Sequence, residues 1–259
     1  MGITKLALRY AAPLPKIENY DRYLFVGPHP DDIEIGAGAT AAKLATAGKE
    51  VCFLICTDGR YGDGYTKDTM TREELISLRR QECLASAKIL GVTDVRFLYY
   101  SDGGFYKAKN LRASIAQVIG DFKPDVIFAP DPDVTSECHI DHLRVGDAVK
   151  KIGYLSQYEG IMAELNTTPA PIKAIAFYMT AKPNRYIKTG KKLLQRQLSS
   201  VFECHLSQYP KDCEEVKTVS LYLRLRSIDF GIKSFKGRAE GFRVLGSIHM
   251  HCLPEAELL

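Results

Sequence analysis

Short apolar runs alternate with longer amphipathic stretches along the first part of this 259-residue chain. Residues Arg22–Gly27 and 50–56 are almost entirely apolar and too short for helices, which is typical of strands buried on both faces. Helical stretches between such runs end at glycines, as at Gly48 and Gly91. An alternation of strand, helix and strand favours a parallel sheet covered by helices. We therefore predict an α/β fold, a Rossmann-like three-layer α/β/α sandwich with a mostly parallel sheet.

The later part of the chain is harder to interpret, but no linker or repeat divides it. A hydrophobic content of 46% in 259 residues suffices for one sizeable core. We predict a single domain: an irregular lead-in over 1–19, a core with the functional site over 20–152, and a segment 153–259 that completes the sheet, the substrate cleft and the oligomer contacts. Residues 242–250 are ambiguous between helix and strand. The periodicities predict strands at 22–27, 50–56, 95–99, 125–129 and 172–179, and helices at 36–48, 71–90, 111–121, 139–152, 193–201 and 213–223.

Composition and charge exclude several functions. Lys and Arg number 35 against 31 Asp and Glu, and they are interspersed except around 182–196, so the basic stripe of a nucleic-acid-binding protein is absent. No apolar run approaches the ~18 residues of a membrane-spanning helix. The seven cysteines include no Cys-x-x-Cys pair, which favours reduced thiols and a cytoplasmic location. We expect neither nucleic acid nor membrane as a partner.

Polar motifs follow each of the first four predicted strands. They occupy residues 28–32, 57–64, 101–104 and 131–142. The carboxyl ends of parallel strands meet at one edge of a sheet, where ligands bind in open α/β folds. Core packing alone would not distribute polar residues in this way, so we predict the functional site at this edge.

The first motif contains the run His29-Pro30-Asp31-Asp32. Adjacent loop residues point in different directions, so one carboxylate can coordinate a metal while its neighbour holds an attacking water. A turn with solvated carboxylates is the ordinary interpretation of two adjacent aspartates. The histidine upstream and a second histidine cluster downstream favour a metal site.

The second cluster is the run His139-Ile140-Asp141-His142. Its histidines are three residues apart, which places them on one face of a helix's first turn. If His142 binds a metal, His139 lies near enough to donate to a developing oxyanion, and Asp141 can fix the tautomer of His139. The alternative is a pair of surface histidines that cap a helix. A catalytic zinc site needs three protein ligands and one open position, which this inventory of side chains fits.

A glycine-rich stretch, residues 36–41, satisfies a loose G-x-G-x-x-A pattern, and Asp58 follows at about the spacing of a ribose-binding acid. This pattern supports a nucleotide-dependent Rossmann oxidoreductase as an alternative. However, a dinucleotide fingerprint begins directly after its strand, whereas residues 28–35 intervene here and carry three acids that would repel a pyrophosphate. We interpret the glycines as sites of close packing between helix and sheet.

Three further candidates rest on weaker patterns. Arg79 can clamp substrate hydroxyls, although Arg79 and Glu82 are spaced like a surface ion pair. Asp102 lies at a strand end where a carboxylate can bind a sugar hydroxyl, although Asp-Gly is also a common turn. His249 and His251 lie near the end of the chain, and either one can serve a site, including that of a neighbouring subunit.

The two clusters together resemble the LmbE/PIG-L family of zinc-dependent N-deacetylases. That family carries a Pro/Ala-His-Pro-Asp-Asp-x-Glu-x-Gly run after its first strand and a His-x-Asp-His run after its fourth. In this chain the two runs stand at residues 28–36 and 139–142 in the same order, and the resemblance covers residues 22–150. Two motifs that match jointly are a specific signal.

The resemblance implies hydrolysis of an N-acetyl group from a small acetylated amino sugar of the N-acetylglucosamine type. It implies one zinc ion per chain, Asp31 as general base, and His139 as acid or oxyanion stabiliser, oriented by Asp141. Its implied zinc ligands are His29, Asp32 and His142.

Within the family, the chain is most similar to the diacetylchitobiose deacetylase branch. This similarity implies Arg79 and Asp102 as substrate-binding residues and a homo-oligomer, a trimer or hexamer, in which the tail reaches a neighbour's site. We therefore predict that His249 contacts substrate across a subunit boundary. Two alternatives stay open besides the oxidoreductase: a deacetylase of a glucosaminide in thiol-cofactor biosynthesis, and a non-catalytic sugar-binding module.

Overall fold

A computed structural model describes residues 3–259, which contain seven strands and eight α-helices. The strands form one sheet in the order β3-β2-β1-β4-β5-β7-β6. Neighbours from β3 to β5 are parallel, and β7 is antiparallel to both β5 and β6. The mostly parallel sheet of the prediction is therefore confirmed. The strands are β1 (Arg22–Gly27), β2 (Glu50–Thr57), β3 (Asp94–Tyr100), β4 (Val126–Pro130), β5 (Ala174–Tyr178), β6 (Arg185–Lys188) and β7 (Ala239–Gly246).

Helices cover both faces of the sheet and form two separate cores. Alternation along β1 shows the division, because Tyr23 and Phe25 point into one core and Leu24 and Val26 into the other. Helices α2 and α3 pack into the first core, and α4 and α5 into the second. This is the predicted three-layer sandwich. The helices are α1 (Ile3–Ala11), α2 (Asp32–Thr46), α3 (Arg72–Leu90), α4 (Ala108–Phe122), α5 (Ile140–Leu155), α6 (Glu159–Glu164), α7 (Gly190–Phe202) and α8 (Glu214–Ser234).

The ends of α3 show why local sequence predicted this half of the chain well. Thr71 and Glu74 form a capping box: the Thr71 hydroxyl accepts from the Glu74 amide at 3.3 Å, and Glu74 accepts from the Thr71 amide at 2.8 Å. Gly91 ends the helix with a φ of 83°, a left-handed conformation that glycine adopts without strain. Both signals are readable in the sequence.

Two predictions for the periphery are wrong, the irregular lead-in and the end of the last helix. Residues 3–11 of the lead-in form α1, while residues 1 and 2 lie outside the described part. Helix α8 continues to Ser234 instead of stopping near residue 223, and residues 242–250 divide between β7 and a short 3-10 helix. The pattern also missed α6 and the edge strand β6, whose four residues include two basic ones. Such short elements depend on tertiary contacts more than on periodicity.

The structure also bears on two predictions drawn from composition. Within residues 3–259, no helix combines the length and apolarity required to cross a membrane. All seven cysteines lie in the described part and are free thiols, with Cys52, Cys56 and Cys83 buried.

Candidate active site

Parallel pairing of β1 with β4 brings the two histidine clusters together. The loop after β1 carries the first cluster, and α5, which follows β4, carries the second. His29, Asp32 and His142 each offer a ligand atom, and these atoms lie within 4.8 Å of one another. Residues separated by more than a hundred positions thus form one compact group.

Asp32 lies at the centre of this group. Its Oδ2 is 3.0 Å from Nδ1 of His29, and its Oδ1 is 3.3 Å from Nε2 of His142. The backbone amide of His29 also donates to Asp32 at 2.8 Å, which fixes the carboxylate in place. Burial would raise the pKa of Asp32, but the charge and hydrogen bond of His142 and then those of His29 hold it well below its usual range.

Without a metal ion, the same contacts keep the His29 and His142 imidazoles protonated. Burial lowers the pKa of His29, but hydrogen bonds to Asp141 and Asp32 outweigh it and raise the pKa to about 10. Burial also opposes ionisation of His142, whose pKa the charge of Asp32 raises to about 9. Two imidazoles facing one buried carboxylate form the donor set of a divalent metal, which would replace the two protons. The residues therefore fit a metal centre.

Asp31 occupies the N-cap of α2 and is separate from this group. Its φ of 134° lies in a region that non-glycine residues rarely adopt, so the loop holds it under strain. Its Oδ2 is 3.4 Å from Nη2 of Arg79. Burial raises the pKa of Asp31 to about 6, and the charge of Arg79 opposes the rise. A carboxylate with this pKa is suited to accept a proton near neutral pH.

Arg79 connects the loops around the site. Its side chain is buried and donates at 3.0 Å to the carbonyls of Pro30 and Gly59. The alternative of a surface ion pair with Glu82 is wrong, because Glu82 is also buried and accepts from the amide and hydroxyl of Ser207. Arg79 lines the cavity, but its guanidinium is engaged with the protein itself and positions Asp31.

Asp141 is fully buried and holds His29 rather than His139. Its carboxylate is 3.2 Å from Nε2 of His29 and accepts from the amides of Gly103 at 2.7 Å and Gly104 at 3.0 Å, and from the Tyr106 hydroxyl at 2.8 Å. Burial would raise its pKa, but the hydrogen bonds, led by that of His29, lower it to about 2. A carboxylate behind a metal-binding histidine fixes the ring's orientation.

His139 caps α5, and its contact with Asp141 differs from the prediction. Nδ1 of His139 accepts from the backbone amide of Asp141 at 3.3 Å, whereas the Asp141 carboxylate is 3.8 Å away. The ring is half-exposed and lines the cavity. Burial, and then the charges of His29 and His142, lower its pKa. The tautomer is therefore set by the backbone, and Nε2 is left to face the cavity.

A cavity of about 270 Å³ opens beside the metal group. Asp102 lies in its wall, buried, and both carboxylate oxygens accept from the Tyr61 amide. Burial raises the pKa of Asp102, and the Tyr61 amide opposes the rise. Tyr61 and Phe105, which pack edge to face at 5.6 Å, are exposed at its rim. The lining residues are His29, Asp31, Asp32, Tyr61, Gly62, Arg79, Asp102, Gly103, His139 and Gln208.

His249 does not line this cavity. It is 5% exposed, its Nδ1 accepts from the Gly246 amide at 3.0 Å, and its Nε2 lies 2.9 Å from the Ala12 carbonyl. Both ring nitrogens are therefore engaged within the chain. Within the single chain the ring thus packs against the segment that follows α1, and a contact of His249 with a neighbouring subunit's substrate stays a prediction.

Sequence reasoning missed several residues around the site. Glu137 accepts from Nδ1 of His142 at 3.0 Å, and its position five residues before that histidine was a usable signal. Gln208 lines the cavity and donates to the Gly62 carbonyl at 2.7 Å. His205 is fully buried and lies 3.2 Å from Glu34 of the first motif. Gln208 and His205 come from the segment after α7, which no local pattern connects to the site.

The glycines of α2 pack closely, as interpreted from the sequence. A Cβ at Gly36 would lie 2.2 Å from Cδ2 of Tyr178. The helix kinks at Ala37, and the amides that follow the kink donate to the buried carboxylate of Glu240, Ala39 at 3.2 Å and Thr40 at 2.6 Å. These are the amides that a pyrophosphate would require. A protein carboxylate thus occupies the place where the oxidoreductase alternative needs a nucleotide.

Comparison with known proteins agrees with this geometry. Residues 24–152 match the family described as PIG-L, GlcNAc-PI de-N-acetylase. The chain is 31% identical over 261 residues to the diacetylchitobiose deacetylase of Thermococcus kodakarensis, an alignment that covers 99% of this chain and 94% of that protein. It is 27% identical over 212 residues to the 1D-myo-inositol 2-acetamido-2-deoxy-alpha-D-glucopyranoside deacetylase of Kineococcus radiotolerans, covering 71% and 58% of the two chains.

The fold gives the same result. The N,N'-diacetylchitobiose deacetylase from Pyrococcus horikoshii superposes with a TM-score of 0.82 and 29% identity over 96% of both chains. Fold, site and relatives together define a deacetylase with an α/β fold. The chain belongs to the PIG-L family, as the resemblance of its two motifs predicted.

Proposed function

We propose that this protein is a zinc-dependent deacetylase that removes the N-acetyl group of an N-acetylglucosamine-type sugar, diacetylchitobiose or N-acetylglucosamine, and releases acetate. One observation carries the proposal: the group of His29, Asp32 and His142 faces a cavity into which the separate carboxylate of Asp31 also points. Similarity to a diacetylchitobiose deacetylase along almost the whole chain supports the choice of substrate class.

The three ligand residues would hold one zinc ion per chain. When bound there, zinc supplies a Lewis acid that acidifies water and polarises a carbonyl. Asp141 keeps the His29 ring oriented through its 3.2 Å contact, and Glu137 does the same for His142 at 3.0 Å. Such supporting carboxylates typically strengthen the ligand histidines.

Asp31 is the general base of the proposed reaction. With a pKa of about 6, its carboxylate is ionised at neutral pH and can accept a proton from the attacking water. The same proton then passes to the departing amide nitrogen, which leaves as a free amine. Arg79 holds the carboxylate 3.4 Å from its guanidinium and thereby fixes the direction in which Asp31 points.

His139 stabilises the developing oxyanion. Its Nδ1 accepts from the Asp141 amide, so the ring proton of a neutral imidazole lies on Nε2. The lowered pKa of His139 favours this neutral form. A neutral Nε2–H still donates a hydrogen bond to an oxygen that gains negative charge.

The cavity wall is suited to an acetamido sugar. Asp102 accepts from the Tyr61 amide and offers its carboxylate oxygens to sugar hydroxyls. Gln208 binds the next residue of the same loop, because its side-chain amide donates to the Gly62 carbonyl. The exposed rings of Tyr61 and Phe105 offer an apolar surface for a sugar ring at the rim. We place the sugar between these groups, with its acetamido group towards His29 and Asp31.

Deacetylation of a glucosaminide, as in thiol-cofactor biosynthesis, is the second candidate. The similarity to the glucopyranoside deacetylase of Kineococcus radiotolerans favours it. A sugar-binding module without catalysis has no need for a metal donor set beside a strained carboxylate. We also propose a cytoplasmic homo-oligomer, a trimer or hexamer, which acts without nucleic acid or membrane, since the thiols are free and the charges interspersed.

The proposal is tested by acetate release from a panel of substrates. The panel contains diacetylchitobiose, N-acetylglucosamine, an N-acetylglucosaminyl inositol and N-acetyllysine. We expect turnover of the glucosamine derivatives and none of acetyllysine, with the preferred sugar separating the two candidates. Absence of acetate release from every sugar by zinc-loaded protein would overturn the proposal.

A further inference from the structure

The segment that follows α7 carries polar side chains that contact α2, α3 and the active-site cavity. His205 is fully buried and lies 3.2 Å from Glu34 in the first motif. Ser207 is buried as well, and its amide donates to Glu82 of α3 at 2.8 Å. Gln208 comes next in the chain, and its side chain lines the cavity beside the metal group. The buried neighbours therefore anchor the backbone that carries Gln208.

Two hydrogen bonds fix the orientation of the Gln208 side-chain amide. Its Nε2 donates to the Gly62 carbonyl at 2.7 Å and to Oγ of Ser207 at 3.2 Å. The Ser207 hydroxyl gives its own proton to the Glu82 carboxylate at 2.6 Å, so towards Gln208 it can only accept. An amide turned by 180° would place Oε1 against these two oxygens. Nε2 therefore faces the loop and the serine, and Oε1 faces away from them.

The oxygen of the same amide, Oε1, is an open acceptor. Within residues 3–259 no group donates a hydrogen bond to it, and the atom is not sealed inside the protein. Gly62 also lines the cavity and brings no side chain to this place, where a Cβ would lie 2.8 Å from Oε1. A carbonyl oxygen has two lone pairs, which water or a ligand must satisfy. Gln208 thus offers a pre-oriented acceptor to a molecule in the cavity.

Asp102 adds a second acceptor to the wall of the cavity. Its two carboxylate oxygens share the Tyr61 amide, at 3.3 and 3.2 Å. The guanidinium of Arg79, which also lines the cavity, is engaged with the carbonyls of Pro30 and Gly59. Away from the metal group, these contacts leave acceptors to meet a ligand. A sugar ring with free hydroxyls brings the donors that such a wall requires, whereas an O-methyl group at the same place brings none.

We propose that Gln208 is a specificity-determining residue whose Oε1 accepts a hydrogen bond from a ring hydroxyl of the acetamido sugar. The inference rests on the proposed function, because it takes an acetamido sugar as the substrate. The two bonds from Nε2 hold the amide before the sugar arrives, so little side-chain freedom is lost on binding. A sugar without that hydroxyl leaves the acceptor unpaired, and a site built for a hydroxyl rejects such an analogue.

Deoxy sugars test this contact. Diacetylchitobiose and N-acetylglucosamine would be compared with derivatives in which one hydroxyl of the acetamido ring is replaced by hydrogen. For one of these derivatives, the parent protein should release acetate with a kcat/KM ~10-fold below that for the intact sugar. Gln208→Met has a similar length and no acceptor oxygen, so its ratio of kcat/KM for intact over deoxy sugar should fall to about 1. The ratio cancels any general effect of the substitution on the loop.

Gln195→Met makes the same change at an exposed glutamine of α7 and is the matched control, which should keep the preference of the parent. Zinc content and thermal melting establish that each variant is folded and loaded. A Gln208→Met enzyme that keeps the parent's preference, or a parent that treats every deoxy derivative like the intact sugar, would overturn the role of Gln208 and leave the deacetylase standing. Absence of acetate release from every intact sugar would instead overturn the proposed function, and this role with it.

Discussion

Helix α2 is divided by a kink at Ala37, and a buried carboxylate lies at the N-terminus of each of its two parts. Asp32 stands in its first turn, and Glu240 of β7 caps the part that follows the kink at Ala37. Asp32 faces two imidazoles, which keep it ionised, whereas Glu240 accepts from the backbone amides of Ala39 and Thr40, and burial raises its pKa to about 7. Burial of a carboxylate is therefore no sign of function in itself. The neighbouring groups decide whether it binds a cation or supports the fold.

The largest effects should follow removal of the ligand group. Asp32→Asn or His142→Ala should abolish zinc binding and lower kcat/KM by about a thousand-fold or more, because the loss of the Lewis acid costs several kcal/mol. Zinc content by mass spectrometry and acetate release measure both. Glu240→Gln makes the same chemical change at the carboxylate beside the kink of α2. It is the control and should retain zinc binding and activity. If Glu240→Gln lost as much zinc and activity as Asp32→Asn, the two carboxylates would not differ in function as we propose.

The next largest effect concerns the neighbouring base. Asp31→Asn should keep zinc and lower kcat by ~10²- to 10⁴-fold, because an amide cannot accept the proton of water. Steady-state kinetics and metal analysis of the same preparation give the result. Loss of zinc in Asp31→Asn with retention in Asp32→Asn would show that the two adjacent aspartates have exchanged roles.

Asp141 should have a smaller effect, because it acts through His29. Asp141→Asn removes the negative charge behind the His29 ring and replaces one of the two accepting oxygens by a donor, so it should weaken zinc affinity by ~10- to 100-fold. Competition with a chelator measures the affinity, and excess zinc should restore much of the activity. Failure of any zinc concentration to restore activity in a folded variant would argue for a direct chemical role of Asp141.

The smallest effect is on stability and belongs to Glu240. Because burial raises its folded pKa from 4.5 to about 7, the folded state binds the proton more tightly than the unfolded chain. Its contribution to stability should therefore be highest below pH 4.5 and should fall by about 1–3 kcal/mol as the pH rises through about 7. Urea unfolding of the parent and Glu240→Gln at several pH values isolates this difference. A stability difference that does not change with pH would contradict it.

The ligand group was predictable because both clusters are contiguous in sequence and follow strands that pair side by side. Arg79 was harder, since its spacing from Glu82 is that of a surface pair, and only the packing of α3 shows that both are buried. The surroundings of His249 were not predictable, because the sequence does not show that its ring nitrogens contact Gly246 and Ala12.

The same limit applies to the elements of the second half. Helix α8 is apolar on both faces, so its periodicity is weak and its end was placed at residue 223 instead of Ser234. Glu240 reaches α2 from two hundred residues away, and no local pattern announces such a cap. Local sequence signals thus predicted the residues that follow neighbouring strands, whereas the positions of Glu240 and of the end of α8 depend on tertiary packing.

Reconstitution with metal tests the central claim most directly. Protein stripped by a chelator would be titrated with zinc while acetate release from diacetylchitobiose is measured. We expect no turnover without metal and a linear return of activity that stops at one zinc ion per chain, held by the group of His29, Asp32 and His142. Full activity of the stripped protein, or recovery that ignores added zinc, would contradict the claim that this group holds the catalytic metal.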